Sequence, residues 1–152
     1  MTATNHAATG AVLALAVQHP FIAFPLALAS HFMLDVLPHY GVPYDKRPHH
    51  QTFGRVLAID AVMLPVTAIA LLFIADAAWW VVLIAMFLAI CPDFVWVYRY
   101  WREKKGLVLA KNKFTYWHAR IQWGERPWGW IVEIAWYVLI VGVLLQQVIV
   151  KA

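Results

Sequence analysis

Apolar residues fall in five runs along the chain, and polar residues gather at the edges of those runs. The runs cover about Asn5–Val17, Phe21–Leu37, Val56–Ala75, Trp79–Tyr98 and Trp128–Val150. A helix that crosses a bilayer needs about 20 residues. The last three runs meet that length, the second is borderline and the first is short. Pro20 breaks the chain between the first two, and Thr4 or Asn5 can cap the first. These two runs read as two short spans or as a hairpin that re-enters the same face. Both versions are helical, because backbone polar groups inside a bilayer need internal partners. Pro25 and Pro65 predict kinks or first-turn positions.

The link from Gly106 to Arg126 has another pattern. Ala110, Phe114, Trp117 and Ile121 recur at spacings of three and four, with Lys111, Lys113, Arg120 and Gln122 around them. That period predicts an amphipathic helix in the membrane interface, with a plain basic loop as the alternative. LPHYG after the second run weakly echoes CPDFV in the fourth. The expected fold is an all-α integral membrane protein, one domain over residues 1–152. About five transmembrane helices form a bundle, joined by one interfacial helix.

Composition points the same way. The chain is 63% hydrophobic and 13% charged, with mean hydropathy +0.66. A soluble domain is nearer half apolar and a quarter charged. Nine Trp and six Tyr suit membrane–water interfaces. The net charge of +4 reads as loops lying against anionic lipid, so no nucleic-acid partner is expected. Cys91 is the only cysteine, which excludes an intrachain disulfide and a Cys-based zinc site. The first run lacks a basic flank, so no cleavable signal peptide is expected.

Lys46, Arg47 and Arg55 lie between the second and third runs. Arg99, Arg102, Lys104, Lys105, Lys111, Lys113, Arg120 and Arg126 lie between the fourth and fifth, and the other two turns carry neither lysine nor arginine. Positive loops stay inside. The expectation is a cell (inner) membrane protein with a cytoplasmic N-terminus and with Lys151 outside.

On that topology the costly residues share one depth. His6 starts the first run, His31 and Asp35 end the second, and His39 follows it. Asp60, Asp93 and Glu133 lie one or two turns from the inner ends of their runs, and His118 is on the interfacial segment. At ~1.5 Å per residue they fall within roughly 10 Å of the cytoplasmic boundary. An ionised group at the bilayer centre costs ~3 kcal/mol even on the lenient scale, so such groups face one another, water or a metal. His31 and Asp35, at i and i+4, share a helix face and can grip one cation. Imidazole with carboxylate suits Zn²⁺ best, with Mn²⁺ or Fe²⁺ as alternatives. Asp60 and Glu133 are the candidate general bases. His49 and His50 could bind a phosphate or reach back to the site, though a solvated loop is the simpler reading; Arg99, Arg102 and Lys104 could hold an anionic headgroup, though their positive-inside role is explanation enough. Trp123, Trp128 and Trp130 read as interface anchors.

TNHAATG, SHFMLDVLPHYGVP and CPDFVW together resemble the bacterial membrane-bound metal-dependent hydrolase-like family. The likeness is nearest to a compact subgroup with a Ser-His-x-x-x-Asp-x-x-Pro-His string. It covers mainly residues 4–43, with a further match at 90–96. The resemblance implies a helical membrane fold with His6, His31, Asp35 and Asp93 as metal ligands, and His39 from the subgroup string. The chain departs from the family at Val95 and Trp96, where an acid and a His stand, and has no His-Arg-Gly-x-Thr-His element.

The expected activity is metal-dependent hydrolysis of a lipid or other amphiphilic ester at the inner leaflet, with a phosphate ester as one form. His118 or His39 would be a further ligand or acid. Two other classes stay open at this point: a non-catalytic membrane protein fastened by a polar network, and a small transporter or proton relay. Membrane lipid is the expected environment and candidate substrate, and a homodimer is neither required nor excluded.

Overall fold

The computed structural model describes residues 1–17, 19–41, 50–74, 79–107 and 112–151. Lys46, Arg47, His49, Ala110 and Lys111, singled out above, lie outside the described residues, as does the side chain of His50. The described chain is mostly helical: α1 (Ala3–Val17), α2 (Pro20–Val36), α3 (His50–Ile74), α4 (Trp79–Ile90), α5 (Phe94–Lys104), α6 (Lys113–Ile121) and α7 (Trp130–Lys151). Each apolar run of the sequence is a helix, and the fourth runs on through a 3-10 turn, Cys91–Asp93, into α5. Two stretches, Thr52–Phe73 and Trp79–Lys104, are long and apolar enough to cross a membrane; the apolar parts of α1, α2 and α7 are shorter.

Helix α1 is the centre of the molecule, and α2, α3, α4 and α7 all pack on it. It can be central because it is narrow. Ala7, Ala8, Ala11 and Ala14 are buried against a core that includes Ala23, Ala27, Val81, Val82, Ala85 and Ala89. A Cβ at Gly10 would stand 2.7 Å from the Ala85 carbonyl oxygen, so α1 and α4 approach as closely as a glycine permits. The outer faces are apolar and uncovered: Ile59, Val62, Val66, Ile69 and Phe73 on α3, and Ile131, Ile134, Val138 and Leu139 on α7.

The cap of α1 differs from expectation. Thr4 and Asn5 do not cap α1 by themselves; its first amides are bonded by acids from other helices. Asp60 of α3 accepts from Ala3 N at 3.0 Å, Thr4 N at 2.9 Å and the Thr4 hydroxyl at 2.7 Å. Glu133 of α7 accepts from Thr2 N at 3.0 Å and Tyr40 N at 2.9 Å. A helix start leaves orphan donors, and here carboxylates more than fifty residues away satisfy them. Pro20 begins α2, whereas Pro25 and Pro65 lie inside α2 and α3. Two short parallel strands, β1 (His39–Tyr40) and β2 (Glu125–Arg126), pair His39 with Glu125 and Tyr40 with Arg126. They join the end of α2 to the segment between α6 and α7.

The segment expected to be an amphipathic helix contains α6, and the face that it turns towards the protein is the polar one. Thr115, His118 and Gln122 are buried, while Phe114 and Trp117 point outward. The spacing was helical; the side that faces the protein is the polar one, because a polar site lies beneath it.

Candidate metal centre

Pro92 sets the site's floor. It has no N–H, so the α ladder cannot run through it, and Cys91–Asp93 turn with 3-10 bonding. That break falls within an otherwise apolar stretch and brings Asp93 beside α1 and α2. His31 uses the same break: its Nδ1 donates to the Ala89 carbonyl oxygen at 2.7 Å. A carbonyl only accepts, so Nδ1 carries the hydrogen. When the ring is neutral, Nε2 therefore presents a lone pair.

That lone pair faces two carboxylates and a second imidazole. His31 Nε2 lies 3.2 Å from Asp35 Oδ2, 3.1 Å from His118 Nε2 and 3.7 Å from Asp93 Oδ1. His118 Nε2 lies 2.9 Å from Asp35 Oδ2 and 3.8 Å from Asp93 Oδ1. One atom from each of the four residues can be chosen so that all lie within 4.8 Å of one another. Asp35 and the two imidazoles are fully buried, and Asp93 keeps 18% of its side chain exposed. Asp93 Oδ1 has no hydrogen-bond partner among the described residues.

Asp35 is the hub. Its Oδ1 also lies 2.8 Å from the Met1 nitrogen and 3.1 Å from His6 Nε2, and its Oδ2 accepts from Gln122 Nε2 at 3.2 Å. The His6 ring stacks on His31, with centroids 4.2 Å apart, and reaches Asp93 Oδ2 at 4.0 Å. Phe32, Trp96 and Phe114 pack around the His118 ring. A polar centre inside an aromatic shell is shielded from water except at Asp93.

Asp93 borders a cavity of about 80 Å³, whose other walls include His39, Tyr40, Trp96, Arg99 and Gln122. His39 is buried there, and its Nδ1 donates to the Leu37 carbonyl oxygen at 2.8 Å. Burial pushes its imidazole pKa down to about 3, so the ring is neutral.

The structure thus brings together His6, His31, Asp35, Asp93 and His118. His39 stands at the cavity wall outside the four-residue cluster. Asp60 and Glu133 are not in the cluster either; Asp60 serves the first amides of α1, and Glu133 the Thr2 and Tyr40 amides. Sequence reasoning missed Gln122 as a partner of Asp35 and the Ala89 carbonyl as the group that orients His31. Gln122 had a signal, since it follows His118 by four residues on one helical face; a backbone carbonyl leaves none. Compared with family models, curated proteins and solved structures, the chain has no match.

Proposed function

We propose that the chain is an integral membrane protein that binds a divalent metal ion through His31, Asp35, Asp93 and His118, and that it hydrolyses an ester of a lipid or other amphiphile. The observation that carries the metal site is the set of five distances between ligand atoms, 2.9 to 3.8 Å. A tetrahedral ion bound at ~2.0–2.1 Å separates its ligands by about 3.3–3.4 Å. Zinc fits this donor set, with manganese or iron as alternatives. Asp35 Oδ1 is ion-paired with the Met1 ammonium at 2.8 Å, while its Oδ2 and Asp93 Oδ1 face the two imidazoles with no lysine or arginine paired to them among the described residues, which favours a cation at that point.

When bound, such an ion supplies Lewis acidity and a means of ionising water near neutral pH. The residues around it have separate tasks. His31 is held in one tautomer by Ala89, and Gln122 fixes Asp35, as supporting groups do at metal sites. Asp93 is the ligand that meets the cavity, so substrate approaches on that side. Arg99, in the cavity wall, offers a cation for a phosphate or carboxylate. Asp60 and Glu133 hold α1 in place and have no proton-transfer role in this reading.

The uncovered apolar faces of α3 and α7 support the membrane placement, since large exposed apolar surfaces mark membrane or partner contact. With the lysine and arginine distribution, the reading puts the N-terminus in the cytoplasm, the C-terminus outside and the site near the inner leaflet. The resemblance of SHFMLDVLPHYG to membrane-bound hydrolase-like proteins supports the same class of activity.

A second reading, a structural polar network, is favoured by the many hydrogen bonds that Asp35 already accepts. Elemental analysis of detergent-purified protein separates the two. A stoichiometric transition metal, lost in folded His31→Ala and His118→Ala variants, is the expected result. No metal in the wild type after zinc addition leaves only the network.

A further inference from the structure

A second cavity, of about 520 Å³, lies on the other side of Tyr40 and Val56 from the one at Asp93, and those two residues line both. It is a groove between α3 and α7, which flank α1. Ile59 and Met63 form one wall and Trp130, Ile134 and Tyr137 the other. Its floor is the start of α1, where Asp60 and Glu133 are already bonded to backbone amides. Arg55, exposed at the first turns of α3, lines one end and forms no ion pair among the described residues. The other end is tied off by a 2.8 Å hydrogen bond between Thr67 and the Tyr137 hydroxyl.

We infer that this groove binds one acyl chain of an anionic phospholipid from the cytoplasmic leaflet, with Arg55 against its headgroup. The inference rests on the membrane placement proposed above and not on catalysis. Three observations carry it. From Arg55 to Met63 the α3 wall of the groove runs about 12 Å at ~1.5 Å per residue, and the Thr67–Tyr137 contact lies one turn beyond it. Half of a hydrocarbon core of ~30 Å is about 15 Å, the depth of a single leaflet's chain. The walls are apolar, the volume suits a small ligand, and the single cation stands at the end that the charge distribution puts at the cytoplasmic surface. Because the groove and the Asp93 cavity share Tyr40 and Val56, a lipid held there has its headgroup next to the metal centre.

Native mass spectrometry of detergent-purified protein, equilibrated with phosphatidylglycerol or phosphatidylcholine of equal chain length, tests this. The wild type is expected to retain phosphatidylglycerol several-fold better. Arg55→Gln should remove that preference while chain binding persists. Ile134→Trp and Ile59→Trp, which fill the groove from opposite walls, should each reduce retention of both lipids and leave metal content unchanged. Equal retention of the two lipids by the wild type overturns the inference, as does unchanged retention in both tryptophan variants. A dimer that carries no lipid also overturns it. Release of the protein from membranes by alkaline washing would overturn the membrane placement itself, a result distinct from loss of lipid selectivity in a protein that stays embedded.

Discussion

The Nε2 atoms of His31 and His118 face each other at 3.1 Å, with Asp35 Oδ2 within 3.2 Å of both. Hydrogen fixed on Nδ1 of His31 by the Ala89 carbonyl leaves this meeting point short of protons. A metal cation or an extra proton resolves the contact. The two solutions differ in a measurable way.

If a metal resolves it, Gln122→Leu is an informative variant. It keeps all four ligands but removes the donor to Asp35. Supporting groups of this kind contribute ~10–100-fold in metal affinity. Zinc titration against a competing chelator should show at least ~10-fold weaker binding, with the helical content retained. Unchanged affinity would mean that Asp35 is oriented by its other partners alone.

Asp60 gives a test of capping against proton transfer. Asp60→Ala leaves the Ala3 and Thr4 amides without their acceptor, and loss of a cap costs ~0.5–2 kcal/mol. Thermal unfolding in detergent should shift down by that amount, and the metal should stay. A variant with wild-type stability but altered hydrolysis would restore Asp60 to a chemical role.

Gly10 tests the central packing. Any side chain there meets Ala85 O at 2.7 Å and Ala89 Cβ at 2.9 Å. Overpacking of this sort costs ~1–3 kcal/mol. Gly10→Val should lower the unfolding temperature more than Gly142→Val, because nothing lies within 4 Å of a Cβ at Gly142. Equal losses would place the helix contact elsewhere.

His39 makes the fold sensitive to acid. Its pKa falls from about 6.5 unfolded to about 3 folded. The unfolded chain therefore takes up a proton at a pH where the folded one does not. The stability from keeping this ring neutral is complete above pH 6.5 and is lost progressively as pH falls towards 3. His39→Gln should show a flatter fall of stability than wild type across that window, read by denaturant unfolding at several pH values. An identical slope would show that other groups carry the acid sensitivity.

Much of this was legible in the sequence. The apolar runs mark the helices by their length and continuous apolarity, and His31 with Asp35 is visible as an i, i+4 pair. His118 was placed beside them by depth, and His6 and Asp93 by depth and by the resemblance; the fold brings all three to the cluster around Asp35. The roles of Asp60 and Glu133 were not legible. An acid near a helix start looks the same whether it moves a proton or caps a different helix. The helical period of α6 was legible, but the polar face that it turns inward was not, apart from His118. Phe114 and Trp117 form an apolar stripe, but a stripe shows which side avoids water, not whether lipid or protein covers it.

The capping of α1 has a consequence for assembly. Thr2 N finds its acceptor on Glu133, 131 residues further along the chain, and Ala3 N finds its own on Asp60. A ribosome that has made only α1 and α2 has produced a helix whose first amides have nothing to bond. Ala3 and Thr4 gain their acceptor when α3 brings Asp60, and Thr2 only when α7 brings Glu133, so the capping of the earliest helix is finished late. Chains that stop before α7 should leave Thr2 N without its acceptor and the start of that helix more open to proteolysis.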